Sequence, residues 1–386
     1  MSGTARSPCG PGPNVLTDPS VGKIMTRHRV LLAALPLSAV LLTAACGATG
    51  TIASGAPERG SEAQAQPGLR AGSVDDNAAF TAYLDYRKKF TDSGQEVRDA
   101  DVSGRRIVTV TDRRGRPLFG ATVRAGDQQA RTYADGRALI FGDGRITVSY
   151  GGATAAATGQ APKVKLPVTA PQGRAKLQVL FLIDTTGSMG DEIGRLTASV
   201  DSVAARIAKL SAAPELELGM TLYRDKGDEY VTRTTDFTAD VGTFREQLTA
   251  VRAEGGGDTP EDLNAALAEA LAKPAWREDA VKLVFLIADA PPHLDYDGPD
   301  YLAEARRAAA RGIKIEPIAS SGLDDQGEYI YRQLAQLTMG RFTFLTYGAD
   351  SVSPGDKTDH HVSEYAVLAL DDLVVKLVAD ELKGFR

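Results

Sequence analysis

LQVLFLIDTTGSMG, residues 177–190, is the stretch from which the fold is read. Leu177 to Ile183 is almost unbroken apolar sequence, rich in Val, Ile, Leu and Phe. So short an apolar run fits a strand buried on both faces, as in a parallel sheet. It stops at Asp184, and oxygen-bearing side chains then fall at alternate positions: Asp184, Thr186 and Ser188. Gly187 and Gly190 let the backbone turn sharply between them. Ile193, Leu196, Val200, Val203, Ile207 and Leu210 follow at three- and four-residue spacing, the apolar stripe of an amphipathic helix. A buried strand thus hands over to a helix through a loop lined with oxygens. In an open α/β sheet such a loop lies at the carboxyl edge of the strands, where these folds bind ligands.

Downstream, strand and helix patterns keep alternating. Strands are expected at 216–223, 281–287, 313–319 and 342–345, with a short antiparallel edge strand at 230–237. Helices are expected at 241–251, 259–271, 301–311 and 328–338; Gly312 and Gly340 stop the last two. In the helix at 259–271, Thr259 suits the cap, Pro260 the first helical position and Asp262 the third. This order predicts an α/β domain over 174–350, a doubly wound, mostly parallel sheet. Residues 351–386 are read as a C-terminal segment with an amphipathic helix at 363–382.

Upstream, the period changes to two over 104–166. Ile107, Val108 and Val110 precede the turn DRRGRP, and Val123, Leu139, Phe141, Ile146 and Val148 follow, broken by turn signals at Asp135-Gly136 and Asp143-Gly144. Short strands at regular spacing predict a small antiparallel β-sandwich. The pattern D-x-x-G-x-P-x-x-G-A-x-V, with T-x-A-D-G-x-A at 132–138, resembles the transthyretin-like, carboxypeptidase-regulatory-like modules of secreted proteins. No catalytic constellation stands in it, and it is read as a spacer or accessory surface. Residues 74–103 carry a short helical pattern, with Phe80, Tyr83, Leu84 and Tyr86 on it. Residues 46–73 are Gly, Ala, Ser, Pro, Gln and Glu with almost nothing apolar, and read as a flexible tether.

Net charge is −6, so nothing in the composition favours nucleic acid. The two cysteines, Cys9 and Cys46, precede the folded region and exclude a disulfide framework. Residues 1–45 read as a signal peptide with an upstream extension. Arg27 and Arg29 follow Met25, and 30–45 is apolar or small, too short for a comfortable membrane span. LLTAAC closes it at Cys46 and resembles the lipobox of bacterial lipoproteins, with Thr43 where Leu is preferred. The resemblance implies acylation of Cys46 and a lipid anchor on the outer face of the cell membrane.

Two more oxygen clusters fall at the predicted carboxyl edge. Gly255-Gly256-Gly257-Asp258-Thr259 opens a helix, and Asp289 follows the buried strand LVFLIA as Asp184 follows its own. An aspartate at the end of each of two buried strands, with hydroxyls beside one, makes an all-oxygen set that suits Mg²⁺ or Mn²⁺. Alone, Asp184 is equally the cap of the next helix; the convergence of three loops makes it a site. The segment 174–350 resembles a von Willebrand factor A domain, and D-T-T-G-S-M-G resembles its metal-ion-dependent adhesion site. Here Thr186 replaces the first serine of D-x-S-x-S and keeps the hydroxyl. Asp289 stands for the family's third-loop aspartate. The family's second-loop threonine falls on Gly257, a departure, and Asp258 is expected to take its place, with Thr259 as helix cap. G-G-G-D-T-P-E and Y-R-D-x-G-D at 223–228 resemble a subgroup found in matrix proteins and in kinases with an appended A domain. Asp225 is read as a solvated loop charge, with an approach to the metal as the alternative, and His293 as structural or a partner contact.

The resemblance implies a metal with one open position that takes a carboxylate from a protein partner, without catalysis. Two enzyme readings compete. D-T-T-G-S resembles the D-K-T-G-T of cation-pumping ATPases, and a metal-dependent phosphatase would use Asp184, but residue 185 is Thr rather than Lys. A hydrolase built on Ser188 has Gly190 of a nucleophile elbow, but Thr186 where G-x-S-x-G needs Gly.

Overall fold

The computed structural model describes residues 70–346, 361 and 366–385. The signal peptide, Cys46 and nearly all of the expected tether lie outside the described residues. In chain order the elements are β1 (Arg70–Val74), α1 (Phe80–Asp92), β2 (Arg106–Thr111), β3 (Thr122–Ala125), β4 (Gln128–Arg131), β5 (Arg137–Ile140), β6 (Ile146–Tyr150), β7 (Ala153–Ala157), β8 (Lys163–Lys165), β9 (Lys176–Asp184), α2 (Gly190–Ala208), β10 (Glu215–Tyr223), β11 (Thr232–Thr238), α3 (Val241–Thr249), α4 (Leu263–Ala272), β12 (Val281–Ala288), α5 (Tyr301–Arg311), β13 (Ile313–Ala319), α6 (Asp325–Leu337), β14 (Phe342–Thr346), β15 (Ala366–Ala369) and α7 (Leu370–Glu381). Among the described residues no helix is long and apolar enough to cross a membrane.

The large sheet runs β11-β10-β9-β12-β13-β14-β1-β15. Its centre, β10-β9-β12-β13-β14, is parallel, and β11 and β1 join it antiparallel. Successive side chains of a strand point to opposite faces, so β9 feeds two cores at once. Val179, Phe181 and Ile183 pack with Ile193, Val200 and Phe244 on one face, among residues of α2, α3 and α7. Leu180 and Leu182 pack with Leu263, Tyr301 and Ile330 on the other, among residues of α4, α5 and α6. This two-sided burial is why an unbroken apolar run, rather than an alternating one, marks the central strands.

Two findings change the expected boundaries. The stretch RAGSV at Arg70–Val74 is a strand, so the tether assigned to 46–73 ends before Arg70. The chain after 350 is not a helix alone, because Ala366–Ala369 is a strand and the helix starts only at Leu370. β1 lies between β14 and β15, with Ala71 opposite Leu345 and Leu368. The α/β domain therefore recruits chain from before the small β module, which is inserted between α1 and β9. RAGSV carries no apolar period; neighbouring backbones on both sides hold it in the sheet.

The β module is two sheets, β5-β2-β8 and β4-β3-β6-β7, around Val108, Val110, Leu118, Val123, Ile140 and Val148. It is not wholly antiparallel, since β2 and β8 pair in parallel. Asp112, in the DRRGRP turn, is wholly buried. Burial alone would raise its pKa, but hydrogen bonds from Ala170 N, the Arg116 guanidinium and the Arg116 and Arg114 amides hold it well below the usual carboxylate range. The module is fastened to the α/β domain: Glu381 accepts from Ala134 N at 3.0 Å and pairs with the buried Lys314.

Candidate metal centre

β9 is followed through α2 by β10 on one side, while β12 lies on its other side. The chain order reverses between β9 and β12, and a crevice opens there at the carboxyl edge. Ile183 pairs in register with Ile287, so Asp184 and Asp289 leave adjacent strand ends.

Asp184 is fully buried. Its Oδ1 accepts from Thr186 N at 2.9 Å and from Thr186 Oγ1 at 2.8 Å. Its Oδ2 is buried without a hydrogen-bond partner. Burial first, and then the nearby Asp289 charge, push its pKa up to about 7, against the hydrogen bonds from Thr186. Asp289 is also raised by burial, with the Ser188 hydroxyl opposing. Thr186 is buried and Ser188 exposed, with their hydroxyl oxygens 3.5 Å apart. Asp184, Thr186, Ser188 and Asp289 are thus together at one place.

The glycine run brings the second loop against the first. Gly187 N donates to Gly255 O at 3.0 Å, and Glu254 N to Thr185 O at 3.0 Å. Gly255 and Gly256 have φ of +80° and +66°, a region side chains rarely enter. At Gly256 a β-carbon would stand 2.8 Å from Thr186 Cβ and 3.0 Å from Glu261 Oε1, so only glycine permits this approach.

The second loop departs from expectation. Asp258 is exposed and takes part in no hydrogen bond or ion pair among the described residues. Glu261 is the buried acid of this loop, 3% exposed, with Oε2 unpartnered. Burial first, then Asp184, Asp225, Asp228 and Asp289, push its pKa up to about 9. Thr259 does not cap the helix: α4 starts at Leu263, and Asp262 caps it by accepting from Ala265 N at 3.0 Å. The cause is a backbone bridge to the third loop, Glu261 N to Pro291 O at 3.1 Å and His293 N to Glu261 O at 3.2 Å. It draws 261 out of helical register and turns its side chain inward.

Asp225 is likewise no solvated charge. Its Oδ2 accepts from Tyr296 OH at 2.9 Å, and its Oδ1 is buried without a partner. His293 stacks on Tyr296 with centroids 3.7 Å apart. Its Nδ1 lies 2.9 Å from Asp295 and its Nε2 3.5 Å from Asp225. Asp228 receives Gly256 N at 3.1 Å. The one sequence signal for these acids was Y-R-D-x-G-D together with the Glu that follows Thr-Pro.

Among the described residues no three or more His, Cys, Asp and Glu side chains are grouped to hold an ion by themselves. The donors are two strand-end carboxylates, the Thr186 and Ser188 hydroxyls, and Glu261 nearby. A hard divalent cation that keeps waters fits such a set. Asp184 Oδ2, buried with no hydrogen-bond partner among the described residues, is an atom that a cation would satisfy.

Residues 178–346 match the family model of the von Willebrand factor A domain, and with the sheet described above the chain carries a von Willebrand factor A-like α/β domain. Two curated relatives are similar over part of their length. The putative ariadne-like RING finger protein R811 of Acanthamoeba polyphaga mimivirus is 26% identical over 192 residues, 45% of this chain and 18% of that protein. The alpha-protein kinase vwkA of Dictyostelium discoideum is 28% identical over 161 residues, 40% of this chain and 25% of that protein. The chain thus spans a quarter or less of the length of these relatives. Among solved structures, proximal thread matrix protein 1 from the mussel byssus, with a zinc-occupied MIDAS motif, aligns at a TM-score of 0.33 and 15% identity, over 43% of each chain. The pilus adhesin SpaC of Lactobacillus rhamnosus GG aligns at 0.37 and 14%, over 63% of this chain and 33% of that one.

Proposed function

We propose that this domain binds a divalent cation at the carboxyl edge of the large sheet and, through it, a carboxylate of a protein partner, without turnover. The observation that carries this reading is Asp184: fully buried, one oxygen unpartnered, beside Asp289 and the hydroxyls of Thr186 and Ser188. Asp184, Asp289, Thr186 and Ser188 hold the ion directly or through water, with Glu261 rather than Asp258 as the nearby third acid. The bound ion supplies an electrophilic position for an outside anion. Oxygen donors without Cys or His favour Mg²⁺ or Mn²⁺ over zinc. Ser188 faces Asp289, while His293 is turned to Asp225 and Asp295, which supports binding over nucleophilic chemistry.

Titration calorimetry of Mg²⁺, Mn²⁺ and Zn²⁺ into wild type and Asp184→Asn tests the site. Undiminished binding in the variant sinks it. A pull-down from envelope extract with and without EDTA tests the partner, and phosphatase or esterase turnover lost in Ser188→Ala would restore the enzyme reading. We further propose a lipid anchor at Cys46, carried by LLTAAC. Cys46→Ser is expected to release the protein from the membrane fraction, and a wild-type mature N-terminus elsewhere, without acyl mass, would refute it.

A further inference from the structure

A cavity of about 460 Å³ opens where the β module meets the amino edge of the large sheet, within the size range of small-molecule sites. It lies far from the acid loops. Lys176 lines it and is the first residue of β9, of which Asp184 is the last, a separation of ~26 Å at about 3.3 Å per residue.

Three observations describe what the cavity suits. The first is charge. Arg116, Arg131, Arg174 and Lys176 line it against two acids, Glu278 and Asp279. Lys176 is matched by Asp279, and Arg116 by Asp112. Arg174 donates only to carbonyl oxygens, from Nε to Ala213 at 2.7 Å and from Nη2 to Pro214 at 3.4 Å. Among the described residues no carboxylate pairs with it. Arg131 is paired with Glu278, but their side chains are unequally placed, 23% and 74% exposed. A largely buried guanidinium is thus held by a carboxylate standing in water, a pairing worth little that an incoming carboxylate displaces at small cost. The second is Tyr150. It lines the same cavity close enough to Arg131 for the two to influence each other's ionisation, and its hydroxyl has no hydrogen-bond partner among the described residues. The third is the apolar wall. Phe119 and Phe385 meet edge to face at 5.6 Å and 60°, and both are only partly buried by the protein. Aromatic surface therefore faces the cavity beside Arg174 and the weakly held Arg131.

We propose that this cavity is a second binding site, independent of the metal centre, for a small organic acid. Its carboxylate is received by Arg131 in place of Glu278, with Arg174 as a second cation and Tyr150 as hydroxyl donor. Its apolar body lies on Phe119 and Phe385. The combination of an aromatic wall with arginine and tyrosine donors selects an amphipathic anion over an inorganic ion, which leaves the wall wet, and over a neutral apolar molecule, which offers the guanidinium nothing in place of Glu278.

The test is saturation-transfer NMR and calorimetry on the full chain, with 3-phenylpropionate as probe and 3-phenylpropanol as its uncharged counterpart. EDTA is present throughout, so that a carboxylate bound to metal at the other edge contributes nothing. The expected result is saturable binding of the acid, at least about tenfold tighter than the alcohol. Arg131→Gln and Phe385→Ala each weaken it about tenfold, and Asp184→Asn leaves it unchanged. Absence of saturable binding, equal affinity for acid and alcohol, undiminished affinity in both cavity variants, or dependence on Asp184 overturns the proposal. Glu278→Gln covers the case in which Arg131→Gln does not fold. It frees the guanidinium without removing it and is expected to tighten acid binding severalfold; no change or weakening overturns the proposal. Failure here leaves the metal reading untouched, because no metal is present in the measurement.

Discussion

Beneath α6, Arg332 donates from Nε and Nη2 to Asp76 at 2.9 and 2.6 Å and from Nη1 to Glu328 at 3.0 Å, and its guanidinium lies over the Tyr86 ring at 3.7 Å. Asp76, Glu328 and Arg332 are each no more than 4% exposed. At the carboxyl edge Asp184 and Glu261 are as deeply buried, yet one oxygen of each meets no partner. One region encloses its acids with a cation of its own; in the other no cation among the described residues pairs with Asp184 or Glu261. Burying an unpaired carboxylate costs several kcal/mol unless it takes up a proton or a cation. A fold that bears this cost at one place while avoiding it at another marks the first as the place where a cation arrives from outside. The Arg332 cluster is architecture, tying the segment before α1 to α6.

The sharpest way to break the comparison is to remove the cation from the paired region. Arg332→Met leaves Asp76 a buried carboxylate without its cation and is expected to cost about 3–5 kcal/mol in urea denaturation. In the metal-free protein Asp184→Asn is expected to cost nothing or to stabilise, since it removes an uncompensated charge. Equal losses in the two variants would mean that the regions do not differ in kind.

Metal binding ranks next. Asp184→Asn is expected to weaken Mg²⁺ or Mn²⁺ by at least about 100-fold, or ~2.7 kcal/mol. Glu261→Gln is expected to cost about tenfold and Asp258→Asn nothing measurable. The reverse order in calorimetry would restore Asp258 as the second-loop acid.

The two kinds of acid also predict opposite pH slopes. Folding raises Asp184 from 3.8 to about 7 and Glu261 from 4.5 to about 9. Over that interval the folded protein binds more protons than the unfolded chain. Metal-free stability is therefore full near pH 4 and declines as pH rises through about 7 and 9. Saturating Mg²⁺ is expected to flatten the decline, and Asp184→Asn to reduce it. Asp112 in the β module runs the other way. Its folded pKa lies below 3.8, so its contribution is present above that value and is lost as pH falls further. Denaturation in EDTA across pH 3 to 9, for wild type, Asp184→Asn and Asp112→Asn, separates the two slopes; a flat curve between 5 and 9 would refute the first.

The smallest effect concerns the start of α4. Asp262→Ala is expected to lose a helix cap, about 1 kcal/mol, whereas Thr259→Ala stays within about 0.5 kcal/mol. Comparable losses would return the cap to Thr259.

Much of the α/β architecture is legible in single segments. The apolar run before Asp184 identifies β9 because a strand buried on both faces needs apolar residues at every position. The Gly312 stop of α5 and the antiparallel edge strand β11 follow from local turn and cap chemistry. The gathering of Asp184, Thr186, Ser188 and Asp289 follows from strand order alone, since adjacent parallel strands end at the same edge. What only the tertiary structure decided lies where distant backbone sets direction. RAGSV becomes β1 because β14 and β15 offer it partners, and Ala366–Ala369 becomes a strand for the same reason. Glu261 turns inward and Asp258 outward because residue 261 is bonded to Pro291 and His293, some thirty positions away. Asp225 is half-buried because Tyr296 reaches it from another loop. Period, caps and turn residues are properties of neighbours in sequence. The direction of a side chain in an irregular loop is set by hydrogen bonds to residues that become neighbours only after folding.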